Sequence, residues 1–330
     1  MLKSIEYSFI LRAKTPIAHH QGVEGTVGVL HRATTEKPET GEVFDVPDVS
    51  GNCMRHGLRE AIAITTLDAM GKLEAGTFDR PDSVRLLMNG GSNAGSGNTI
   101  KIDDMRAMQT LVPALALLGG TSSNQIHYGR VECGSAYLIC EESLHMLETW
   151  QKEALGQRPI YSAAEQEVLI QHYSRDGADS PLGEHLLTDE AKSELLNRRK
   201  RREKATDDDD EVAASESKST QMPHAAEAVR AGSLWMWSVV GHVFNDLEEA
   251  TFSTMVASFM RRAIVGSGRR VGNGHLEVHE ARGFNHLRPA EAMRVIRDPN
   301  DVLGQQQAEM YLEHVRGHSE EIMGWLKNKA

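Results

Sequence analysis

The chain is poor in the residues that build metal and cofactor chemistry. Its 330 residues hold three cysteines, Cys53, Cys133 and Cys140. That number is odd and lacks the paired spacing of a zinc site, so reduced, structural thiols are expected. No His-Glu-x-x-His occurs among fifteen histidines, of which only His19 and His20 are adjacent, and no metal site is expected from them. A Gly-Lys-Ser/Thr ending to a glycine loop is absent, which argues against the Walker reading. Long apolar runs are lacking too. The stretch from Ile5 to Leu11 is short and alternates with polar residues as a strand does, so neither a membrane span nor a signal peptide is expected. A cytoplasmic protein without a cofactor follows.

Positive charge is also in deficit. Lysine and arginine number 36 against 47 acids, a formal net charge of −11, which argues against a protein that coats nucleic acid by bulk charge. Part of the acid is confined to one block, Asp207 to Glu211, inside a Ser-, Ala-, Lys- and Glu-rich stretch with almost no large apolar residues. Such composition cannot bury enough surface to order itself, so 198–222 reads as a mobile loop. The neighbouring run Arg198, Arg199, Lys200, Arg201, Arg202 and Lys204 reads as solvated charge rather than an RNA contact. With 40% apolar and 25% charged residues, the remainder suits one large elaborated globular domain or two ordinary ones.

What the chain does have is concentrated near its end. Residues Arg261 to Gly274 read Arg-Arg-Ala-Ile-Val-Gly-Ser-Gly-Arg-Arg-Val-Gly-Asn-Gly, followed by a strand-like Leu276-Glu277-Val278. Glycines let a backbone approach a partner, and arginine forks suit phosphate. Upstream, Phe252, Met255, Val256, Phe259, Met260 and Ala263 recur at helical spacing, with Arg261 and Arg262 off that stripe. The order helix, loop, strand is the reverse of a dinucleotide-binding fingerprint. A polyanion site is one reading; a helix stop at Gly266 with a plain hairpin turn is the other.

A second candidate lies at Val46-Pro47-Asp48-Val49-Ser50-Gly51-Asn52-Cys53-Met54-Arg55, leading into a helix over 51–71. Ser50 suits the N-cap, and Met54, Leu58, Ala61, Ile62 and Leu67 mark the buried side. Asn52, Arg55 and Arg59 share one face at the positive helix end, a seat for phosphate unless the arginines simply lie in water. Elsewhere, Ser4 to Lys14 reads as a strand, 15–42 as a long loop or hairpin, and 72–118 as helical with a flexible glycine tip over 90–97. A strand opens at Tyr128 to Glu132, 143–197 is mostly helical, and 225–240 forms two strands about Ala231-Gly232. Trp235 and Trp237 fall on one strand face, as core residues rather than base-stacking ones. The sum is an α+β fold with a split β-α-β, ferredoxin-like sheet and long insertions.

Three motifs together, the Val46 to Arg55 turn, Leu118-Gly119-Gly120 with Gly129-Arg130-Val131, and the Gly266 to Gly274 loop, resemble the RAMP superfamily of CRISPR proteins. Ala228 to Leu234 resembles the strand–turn–strand of the backbone subunit of class 1 effector complexes, and size and motif order are most similar to the type IV version. The resemblance spans both ends and the middle of the core but not 143–222. It implies a modified RNA-recognition-like palm from 1–71, 119–142 and 223–330, a helical finger at 72–118 and a thumb-like insertion at 143–222. Copies of such subunits stack head to tail along the guide RNA (crRNA) with other effector subunits and a DNA or RNA target as partners. The implied RNA-binding set is His19, His20, Ser50, Gly51, Asn52, Arg55, Arg59, Arg130, Arg261, Arg262, Gly268, Arg269 and Arg270.

In type III relatives an aspartate between the first strand and first helix cuts target RNA. The corresponding Gly22 to Arg32 holds only one acid, Glu24, while Asp45 and Asp48 stand where helix capping would explain them. A non-cleaving scaffold is therefore expected. The rivals are a ribonuclease of the same superfamily using His19, His20 and His31, and a nucleotide-binding metabolic enzyme.

Overall fold

The structure, a computed structural model, describes residues 2–25, 27–91, 102–122, 125–173, 185–193, 223–287, 294–296 and 305–329. The first half of the chain runs β1 (Lys3–Ala13), β2 (His20–Glu24), β3 (Val27–Leu30), β4 (Arg32–Glu36), β5 (Val43–Val49) and α1 (Gly51–Ala69). Three helices follow, α2 (Pro81–Asn89), α3 (Ile102–Leu111) and α4 (Pro113–Leu118), then short strands β6 (Gly120–Ser122), β7 (Gln125–His127), β8 (Val131–Cys133) and β9 (Ala136–Leu138). Next come α5 (Thr149–Leu155), α6 (Ala163–Gln166), β10 (Glu167–Tyr173), β11 (Pro223–Val229), β12 (Leu234–Val243) and α7 (Asp246–Arg261). The described chain closes with β13 (Ala263–Ile264), β14 (His275–Asn285), β15 (Arg294–Ile296), α8 (Gln305–Gly317) and α9 (Ser319–Lys329).

β1 lies at the middle of the main sheet because it is apolar on both faces. It pairs antiparallel with β12 on one side and β14 on the other. β12 pairs in turn with β8 and β9, and the sheet continues through β5 to β4. With α1 between β1 and the β8–β9 pair, and α7 between β12 and β14, the chain passes twice through strand, helix, strand. The spatial order β14, β1, β12, β9 is the expected ferredoxin-like one. On one face Tyr7, Phe9 and Trp237 pack against Met54 and Leu58 of α1 and Phe252, Met255 and Phe259 of α7. On the other, Ile10, Leu234 and Met236 meet Leu147, Trp150 and Leu155 on and beside α5. Both sheet faces are thus covered.

A second sheet has the order β10, β11, β3, β2, with β11 and β3 parallel. It accounts for the hairpin expected within 15–42. It also corrects the helical reading of 143–197, since 167–173 is a strand paired along its whole length with β11. Val168, Leu169 and Ile170 favour either structure by pattern, and the partner strand decides. The strands either side of Gly232 form as expected but belong to different sheets. Most of the glycine tip, 92–97, and all of 198–222, with its acidic block and basic run, lie outside the described residues. Among the described residues no helix is long and apolar enough to cross a membrane.

Candidate nucleic-acid interface

The glycine loop begins where α7 stops. β13 turns the chain back onto β14, pairing Ala263 with Leu276 and Ile264 with His275, so the loop is a hairpin connection. Its glycines serve internal packing first. Gly274 has φ +86, and a Cβ there would stand 1.9 Å from the Val265 carbonyl oxygen, a position closed to any other residue. The loop lies on the segment that leaves β1: Ser267 N–H donates to Ala18 O at 2.6 Å and Gly274 N–H to Pro16 O at 2.9 Å. It also touches α1, through Gly266 N–H to Cys53 Sγ at 3.2 Å and Arg269 Nη1 to Glu60 Oε2 at 2.7 Å. Gly268 is left-handed, φ +73, against Asn273.

Two of the loop's arginines remain in solvent. Arg261 and Arg262 are exposed, and their side chains make no hydrogen bond or ion pair among the described residues. The side chain of Arg270 lies outside the described residues. Arg269 is partly neutralised by Glu60, 29% and 25% of their side chains being exposed.

At the start of α1, Ser50 caps as expected, its Oγ accepting the Cys53 N–H at 3.4 Å. Gly51 N–H donates to Ser135 Oγ at 3.2 Å, and Asn52 is exposed. The arginines behind them are engaged inside the fold. Arg55 points inward, Nη1 donating to Leu118 O at 2.9 Å and Nη2 to Val131 O. Arg59 is only 6% exposed, with Nη2 on Leu118 O and Gly119 O at 3.2 and 2.9 Å. Burial, with Arg55 alongside, pulls its guanidinium down to about 10. Both arginines cap the carboxyl end of α4, whose last carbonyls need donors. Arg130 is likewise spent: its fork grips Glu248 and stacks 4.2 Å from the Phe244 ring. Burial works against charge on Glu248, yet the Arg130 fork and the Phe244 N–H hold its carboxyl below the ordinary range.

The motif Leu118-Gly119-Gly120 with Gly129-Arg130 has a matching structural cause. Gly119 and Gly129 lie back to back, a Cβ on Gly119 standing 2.5 Å from Gly129 N and one on Gly129 standing 2.7 Å from Gly119 N, and Arg130 N–H donates to Leu117 O at 2.7 Å. Three of the expected phosphate ligands, Arg55, Arg59 and Arg130, are therefore internal braces. Arg55→Ala is expected to lower stability by about 2 kcal/mol, since two carbonyls lose charged donors. A urea melt should show this, while RNA affinity per folded molecule stays within about twofold.

What the structure does bring together is the two histidines, the capping serine and the loop. His19 Nε2 lies 3.0 Å from Ser50 Oγ. His20 sits between Ser267 Oγ, 3.2 Å from Nδ1, and Glu227 O, 3.0 Å from Nε2. His31 joins them, its ring centroid 5.3 Å from that of His19 and its Nδ1 bonded to Asp48 Oδ1. Burial, then His31 beside it, lowers the pKa of His19. Capping does not explain the aspartates: Asp48 is buried in β5 beneath His31, and Asp45 accepts from Thr34 Oγ1 at 2.8 Å. Burial pushes the Cys133 thiol up to about 12 and the Cys140 thiol to about 11, as structural thiols require. Among the described residues no cluster of three or more His, Cys, Asp or Glu is placed to hold a metal ion.

No protein-family model matches the chain, and no curated protein sequence does. Among solved structures it is similar to a chain of a "Type IV-B CRISPR Complex", at 16% identity and a TM-score of 0.51, over 92% of this chain and 99% of that one. The likeness is one of fold.

Proposed function

We propose that the chain is a guide-RNA-binding backbone subunit of a CRISPR effector complex. Its copies stack head to tail along the guide, alongside other effector subunits, and present the spacer to target nucleic acid without cutting it. The observation that carries this reading is the shared fold over nearly the full length of a chain from a Type IV-B CRISPR complex. Arg261 and Arg262, exposed at the end of α7, support it as phosphate contacts. Net negative charge is no obstacle when unpaired cations gather on one surface, and a head-to-tail contact that does not close generates a filament. Sequence would be read by pairing between guide and target, the protein holding backbone and shape, the division of labour used by another kind of RNA-guided effector.

The test is purification after co-expression with a repeat–spacer RNA, measuring the ratio of absorbance at 260 to 280 nm and the particle size before and after ribonuclease. A large RNA-rich particle with protected fragments growing in regular steps is expected. A small RNA-free monomer would remove the reading. The proximity of His19 and His31 favours a metal-independent ribonuclease as second reading; repeat RNA incubated with the chain stays intact if the first is right.

A further inference from the structure

Asp48 is 2% exposed at its side chain, and its side-chain partner is the imidazole of His31. A buried carboxylate is costly unless it is hydrogen-bonded and balanced by charge. His31, 35% exposed, supplies that balance once it is protonated: Nδ1 faces Asp48, so the ring edge carrying Nε2 is turned away from the carboxylate. His19 completes the pair. Ser50 Oγ accepts the Cys53 N–H and can donate its own proton to His19 Nε2; in that arrangement a neutral His19 carries its hydrogen on Nδ1. Burial and the neighbouring His31 favour that neutral form. Two ring N–H donors thus stand beside the first turn of α1, where the helix dipole adds positive potential.

The other charged groups near this pair are already matched. Arg32, next to His31, is bonded to Glu167 at 2.8 Å and Glu227 at 3.2 Å. Glu227 also accepts the Leu30 N–H. His20 is held by Ser267 and Glu227 O, and Arg269 by Glu60. Among these groups Asp48 is the carboxylate bonded to an imidazole.

We propose that His31 and His19 together bind one backbone phosphate of single-stranded RNA, with uptake of a proton at His31 and with Asp48 as its buried counter-charge. The row carboxylate, imidazolium, phosphate alternates in sign. The proposal rests on the RNA-binding reading above and adds a residue pair and a linked proton. Because binding takes up a proton, affinity rises as pH falls through the imidazole range, and that gain is absent above it.

The test is fluorescence anisotropy of a fluorescein-labelled single-stranded RNA of mixed sequence, at fixed ionic strength, near pH 6 and near pH 8. The wild-type chain is expected to bind about tenfold more tightly at the lower pH. His31→Gln should reduce that ratio to about twofold, and so should Asp48→Asn, whose amide oxygen still accepts from the ring but carries no charge. His242→Gln, at a half-buried histidine paired with Glu132, should keep the wild-type ratio. Thermal melts identify the folded variants, and if His31→Gln does not fold, Asp48→Asn decides. A wild-type ratio near one with binding retained, or an undiminished ratio in a folded His31 or Asp48 variant, overturns the proposal and leaves the backbone-subunit reading standing. Absence of RNA binding at both pH values removes both.

Discussion

Changing Arg261 and Arg262 together to alanine is expected to weaken binding of single-stranded RNA by roughly tenfold to thirtyfold at about 0.15 M salt, equally for every sequence. Each phosphate neutralised on a single strand releases about 0.7 counterion, so losing two contacts should flatten the salt slope by about 1.4. The two side chains suit this measurement because nothing else in the described chain uses them: they are exposed at the end of α7. Their removal leaves no carbonyl or carboxylate stranded, so the melting temperature should stay within about 2 °C. Arg269 is a weaker probe, because truncating it also frees Glu60. Unchanged slope in the double variant would move the RNA to another surface; loss confined to some sequences would contradict a backbone contact.

Trp237→Ala should have the largest effect on stability, about 4 kcal/mol, with a fall in melting temperature of about 10 °C. The indole stacks on Phe9 at 5.0 Å between centroids, meets Phe259 of α7 at 5.3 Å, and donates Nε1–H to Gly134 O at 3.0 Å. Its loss opens a cavity between sheet and helix and orphans a carbonyl. Trp237→Phe keeps most of the volume and should recover about half of the loss. A variant that melts normally but no longer binds RNA would instead make this residue a base-stacking platform.

That outcome for the tryptophans was legible in the sequence, as were β1, α1, α7 and the N-cap at Ser50, because each is written in a local period or a local cap. The arginines were not. Arg55 and Arg59 have the residue type and helix position of a phosphate seat, but their partners are carbonyls of Leu118, Gly119 and Val131, supplied by elements far along the chain. One signal was present: Arg59 borders Leu58 and Ile62 on the apolar stripe and is buried with them. Arg130 and Glu248 meet only because β8 pairs with β12, which leads into α7. Asp48 next to a helix start resembles a cap by position, yet Val46 and Val49 on the same strand are buried with it, and its histidine lies on the far side of the β4 turn. Strand β10 depends on a partner beyond a long intervening stretch, so no local pattern specifies it.

The closing of the second sheet face by Leu147, Trp150 and Leu155 has a consequence for what such a subunit can be indifferent to. An RNA-recognition sheet with open aromatics lays bases flat on its strands and so acquires preferences among them. Here that platform is already roofed by the chain itself, and a nucleobase finds no vacancy there. In the proposed function, a carrier blind to its cargo's letters imposes no editorial constraint, so one gene product would serve every spacer in a library without retuning.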